Sequence, residues 1–182
     1  MRLLRKIFGS DDKGTAKPDR AMVSLVVLYD TYLELSLESL RQALDQEFPG
    51  EFLPPREFGN FVVDGAVPGS TFMILSAIPE ASGMFMLNNV PGPYTEFSYF
   101  AEYISDDVLR ERATAQNCWL SIDLINLTTS IEDAYRFIGK VLARLAPDDA
   151  AFLVHPETYC SIVFDNDVRA RLAGGSCLFP MR

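Results

Sequence analysis

Long apolar runs are missing from this chain. None approaches the roughly 18–20 consecutive apolar residues that crossing a bilayer takes, and the longest, such as Leu25–Tyr29 and Phe72–Leu75, have the length of strands. No membrane span is expected. The basic, apolar opening Met1–Phe8 is followed by Ser10, Asp11, Asp12 and Lys13 where a secretory signal would carry its uninterrupted apolar stretch. Cysteine is scarce: Cys118, Cys160 and Cys177 are widely spaced, odd in number and in no metal-ligand pattern, which argues against a disulfide framework and for a reducing compartment. The cytoplasm is the expected location. Recognised catalytic signatures are absent too, with no GxGxxG after a strand, Walker loop, GxSxG or HExxH. That weighs against an enzyme, and no cofactor or metal is expected.

Positive charge is confined to one end. Residues 1–20 hold six basic and three acidic side chains, and the remaining 162 hold ten and 22, with Lys140 their only lysine. The body therefore carries a net of −12 against +3 for the tail, consistent with −9 for the chain. Such a body repels a phosphate backbone, so nucleic acid is not an expected partner. Any partner drawn by charge would be basic.

What the sequence does have is enough apolar material for a full core, 48% hydrophobic and 12% aromatic in 182 residues, which excludes a wholly disordered chain and fits one domain. Gly9–Arg20 contains no large apolar residue and reads as a linker, so the division is a flexible basic tail over 1–20 and a single domain over 21–182. Met22–Tyr29 is apolar on both faces, the pattern of a buried central strand. Leu33, Leu37, Leu40, Leu44 and Phe48 form the stripe of a helix ending at Pro49-Gly50. Phe58–Val63 and Thr71–Ala77 form a hairpin through Asp64-Gly65 and Pro68-Gly69. A short strand is expected at Gly83–Leu87, and helical segments over Tyr94–Ile104 and Asp106–Ala115.

Asn117–Ile125 alternates, with Cys118, Leu120, Ile122 and Leu124 on one face and Trp119, Ser121 and Asp123 on the other. Thr129 and Glu132 have the spacing of a capping box for a helix running to Leu145. Short strands at Ala150–Val154 and Thr158–Phe164 and a last helical turn at Asp167–Leu172 complete the order. This predicts an α+β fold, a single mostly antiparallel sheet covered by helices, with a ferredoxin-like core and additions.

Two surfaces are candidates for function. The Met84–Tyr103 stretch combines methionines with Phe and Tyr, residue types that interfaces favour. Phe85, Tyr99 and Tyr103 are its expected partner-binding residues, whether the partner is another protein or a second copy. The alternative is a hydrolase or ligand-binding pocket near Asp30, Asp123 and His155, the only histidine, with the ligand unspecified. A histidine at a strand end suits general-base work, although no neighbouring residue completes a triad.

Ala21–Tyr29, the leucine-striped helix, Phe72–Pro79, Asn117–Ile125, the helix to Leu145 and Ala151–Val154 together resemble an uncharacterised bacterial family, the domain-of-unknown-function 4261 group. The resemblance lies in element order and apolar pattern. Members often carry histidines where Asn117 and Cys118 stand here, and the resemblance implies no activity. The expected role is a noncatalytic protein-binding or accessory domain, immunity-like or regulatory, of a bacterial cell.

Overall fold

Ser24–Tyr29 (β1) is buried at every position, as an apolar run without alternation demands of a strand covered on both faces. The structure, a computed structural model, describes residues 23–54, 59–65, 67, 69–94, 101–127 and 130–179. The expected tail over 1–20 lies outside them. After β1 come α1 (Leu37–Glu47), β2 (Phe61–Asp64), β3 (Thr71–Ser76), β4 (Gly83–Pro91), α2 (Asp107–Ala115) and β5 (Cys118–Leu127). The chain then forms α3 (Ile131–Leu145), β6 (Phe152–His155), β7 (Cys160–Val163) and α4 (Asn166–Ala173). The seven strands make one sheet in the order β2-β3-β4-β5-β1-β6-β7, and every neighbouring pair is antiparallel.

The expected fold is what forms. Within the sheet, β1-α1-β4 and β5-α3-β6 are two split βαβ units whose strands interleave as β4-β5-β1-β6, the ferredoxin-like arrangement. The β2-β3 hairpin extends one edge and β7 the other. Its turn closes with a Gly65 N–H bond to the Thr71 carbonyl at 2.7 Å, and Gly69 holds the positive φ, 78°, that the reversal needs. Among the described residues no helix is long and apolar enough to cross a membrane.

One face of the sheet carries the main core. Leu25 and Val27 of β1, Phe85 and Leu87 of β4, and Leu120 and Ile122 of β5 point to it by alternation. They pack beneath Leu40 and Leu44 of α1, Phe137 and Leu142 of α3, and Val168 and Leu172 of α4. Phe137 sits at the centre of this layer, stacked between Phe85 at 4.6 Å and Phe48 at 5.1 Å between ring centroids. Capping fixes where the two long helices begin. Ser36 and Ser39 cap α1 reciprocally. The α3 cap is Ser130, whose hydroxyl accepts the Asp133 N–H at 3.1 Å, one residue later than the expected box; Thr129 lies outside the described residues.

Two elements differ from the sequence reading, which ended the fourth strand at Leu87 and put the helices on one face of the sheet. β4 runs on to Pro91 because Asn88, the buried Asn89 and Val90 continue the alternation, paired with β5 throughout and with β3 as far as Asn88. And α2 lies on the face away from α1, α3 and α4. Its Ala113 and Leu109, with Ala101 and Ile104, cover Val26 and Leu28 of β1 and Phe152 and Val154 of β6. Those four side chains follow from strands apolar on both faces, which need a second cover. Of the expected Tyr94–Ile104 helix, residues 95–100 lie outside the described residues.

Candidate binding cleft on the open face of the sheet

Partners directly opposite one another in a ladder share a face of the sheet. On the α2 side, one row reads Val63–Met73–Met86–Asp123–Ser24 across β2, β3, β4, β5 and β1. The row beyond it reads Phe61–Leu75–Met84, and the row before it Thr71–Asn88–Ser121–Val26. A register shift at Met84/Phe85 turns Ile125 out of the ladder. Phe61, Met73, Leu75, Met84 and Met86 are half-buried, while Val63 and Ile125 are 42% and 43% exposed. None of the seven belongs to either apolar core. Among the described residues, then, α2 covers the β5-β1-β6 part of this face and the β2-β3-β4 part stands open.

At the boundary between the covered and open parts lies a cleft of about 260 Å³, whose walls include Val26, Met86, Tyr94, Trp119, Ser121 and Asp123. Tyr94 meets Trp119 edge-on at 5.4 Å between centroids. Asp123 is tied down at both oxygens. Oδ1 accepts the Ser24 hydroxyl at 2.5 Å, and Oδ2 accepts the Asn88 amide at 2.8 Å and the Ser121 hydroxyl at 3.0 Å. All three donors are neutral, and among the described residues no lysine or arginine pairs with this carboxylate. The arrangement is an oriented negative charge at the side of an aromatic and thioether wall.

The residues singled out from sequence scatter. Asp30 is exposed at the far end of β1, six residues and about 20 Å of strand from the Ser24–Asp123 pair. His155 extends the alternation of Leu153, on the α1–α3 face, and Asp123 faces the other way beside the second core. The structure does not gather Asp30, Asp123 and His155 into one pocket. Phe85 is 0% exposed, stacked on Phe137, and contributes nothing to a surface; the expectation that it binds a partner is corrected by its inward place in the alternation. Tyr103 is 86% exposed. Tyr99 lies outside the described residues.

His155 is 2% exposed and has both ring nitrogens engaged, Nε2 at 2.6 Å from the Tyr135 hydroxyl and Nδ1 at 2.6 Å from the Thr158 hydroxyl. Tyr135 in turn donates to Glu157 at 3.3 Å, and Phe179 stacks on the imidazole at 4.8 Å. Burial holds the imidazole below its ordinary pKa, with the Glu157 charge pulling the other way; burial and then Glu157 push the Tyr135 phenol up. A neutral histidine with satisfied nitrogens packs β6 against α3 and is poorly placed to take a substrate's proton. Among the described residues no three of His, Cys, Asp and Glu cluster as a metal site would.

Sequence reasoning missed Ser24 and Asn88, and it held Met86 and Tyr94 only as members of the Met84–Tyr103 stretch, without setting them beside Asp123. It did put Trp119, Ser121 and Asp123 on one face of β5, and that was the signal: an acid and a tryptophan sharing an outward row. The chain matches no protein-family model, no curated protein and no solved structure.

Proposed function

We propose that this protein is a noncatalytic binding or accessory domain, and that its binding surface is the open β2-β3-β4 part of the sheet rather than the Phe85, Tyr99 and Tyr103 surface read from sequence. The observation that carries this reading is the contiguous row of Val63, Met73 and Met86, flanked by Leu75, Met84 and Ile125, apolar and in neither core. Contiguous apolar surface on a folded domain marks an interaction site, and methionines adapt to partner shape. A bacterial regulatory or immunity-like role in the cytoplasm suits an acidic body with free cysteines, and the likeness in element order to the 4261 group is compatible with it. The hydrolase alternative lacks comparable support, since Asp30, Asp123 and His155 share no cleft.

The test is affinity capture from lysate of the source cell with the full chain, Met73→Lys/Met86→Lys, and Tyr103→Ala. One protein retained by wild type and by Tyr103→Ala, and lost from the double lysine variant, is the expected result. Retention by the double variant, with loss from Tyr103→Ala, would overturn the choice of surface.

A further inference from the structure

We propose that the cleft over Asp123 binds an organic cation, an ammonium or guanidinium carried on an apolar stem. This rests on the open-face reading and specifies what the cleft at its border selects. The first argument is charge. Ser24, Asn88 and Ser121 orient the Asp123 carboxylate, and neutral donors fix a carboxylate without cancelling it; a cation does both. Its half-buried position beside apolar walls leaves the charge less screened than on open surface.

The second is the wall. Trp119 and Tyr94 stand at an angle to one another in the wall of the cleft that holds the carboxylate, and Met86 lines the same cleft. Aromatic faces attract cations, tryptophan most strongly, and methionine and Val26 supply the lining for a stem. A hard metal ion is a poor match, because it asks for about six or more oxygen ligands and the cleft offers one carboxylate and hydroxyls already engaged. Size is the third argument. At about 260 Å³ the cleft falls below the roughly 300–1,000 Å³ of sites for drug-sized ligands, which suits a single side chain or a small amine. Two sources supply this chemistry: a separate partner or amine, and the chain's own Arg2, Arg5 and Lys6, which lie outside the described residues.

Trp119 is the only tryptophan in the chain, so its fluorescence reads the cleft directly. The full chain is titrated with n-butylammonium and with n-butanol at constant ionic strength, alongside Asp123→Asn, Tyr94→Leu and Arg2→Ser/Arg5→Ser/Lys6→Ser, each checked for fold by circular dichroism. The expected result is a saturable emission change with the ammonium, at least tenfold weaker with the alcohol, lost in Asp123→Asn and weakened several-fold in Tyr94→Leu. A response seen only in the triple serine variant supports the site and names the tail as its occupant; a response equal in both chains points to a separate source. Equal responses to ammonium and alcohol, or a flat titration in both wild type and triple variant, overturn the proposal. Should Asp123→Asn fail to fold, Tyr94→Leu and the alcohol comparison still decide. The open-face reading is judged separately, by capture with Met73→Lys alone, because Met86 also lines the cleft and Met73 does not.

Discussion

Phe85 and Met86 are adjacent in the chain and face opposite sides of the sheet, and that parity decides what each is for. Phe85 lies between β4 and α3 with its ring on Phe137, so truncation leaves a cavity in close-packed surroundings. Phe85→Ala is expected to cost about 3–5 kcal/mol, read as a fall in the denaturant midpoint, whereas Tyr103→Ala, on a side chain in solvent, stays within about 0.5 kcal/mol. His155 makes a second residue-scale prediction. Its folded pKa is lowered from the ordinary value of about 6.5, so the fold favours the neutral ring. Stability from this group is complete above that value and is lost as pH falls below it toward the lowered folded pKa, because the unfolded chain takes up the proton first. The difference in melting temperature between wild type and His155→Gln should therefore narrow on going from pH 7.5 to pH 5. A difference independent of pH across that range would mean the ring is not held neutral.

At the scale of elements, burial separates the helices sharply. α3 buries nine of its residues, including Phe137, Ile138 and Leu142, while α2 buries Ala113 alone and leaves Val108 75% exposed. Local opening follows buried apolar contact, so amides of α2 are expected to exchange with solvent well before those of α3 in native-state hydrogen exchange; equal protection would mean the two layers open as one unit. Loss of the α3 cap in Ser130→Ala should cost about 1 kcal/mol.

The same contrast explains what could be read from sequence. The stripes of α1 and α3 and the alternation of β5 are local patterns, and they suffice for those elements, the fold class and the shared face of Trp119, Ser121 and Asp123. The reach of β4 to Pro91 was not legible, because Asn88 and Asn89 belong in a strand only through their β5 partners on one side and Thr71 and the Ser70 carbonyl on the other. The cleft was half legible for the same reason. Ser24 stands 99 residues from Asp123, and only strand register, a property of the assembled sheet, sets them in one row. Parity also misleads at Phe85, where a methionine-rich stretch reads as surface although alternate positions point inward.

For the whole molecule, the open apolar face and the acidic charge act against each other. Two copies meeting open face to open face would bury Met73, Met86 and their neighbours, yet would bring together two chains each carrying a net of −9. Such repulsion reaches about 30 Å in 0.01 M salt and only about 3 Å at 1 M, whereas apolar contact is not weakened by salt in this way. Self-association is therefore expected to be suppressed at low ionic strength and to emerge as a concentration-dependent rise in sedimentation coefficient near 0.5 M sodium chloride. Met73→Lys/Met86→Lys should remain a monomer at both salts, since it sets charge in the middle of the face it would bury. A sedimentation coefficient indifferent to salt in the wild type would mean that the face is not available to a second copy, and association that survives the lysines would put the contact elsewhere. A cationic partner read by Asp123 has the opposite dependence, because its attraction to the acidic body is what salt screens. Sedimentation of the chain alone and titration of its tryptophan, run across the same salt series, should thus move in opposite directions if the apolar face and the carboxylate at its border do the separate work assigned to them.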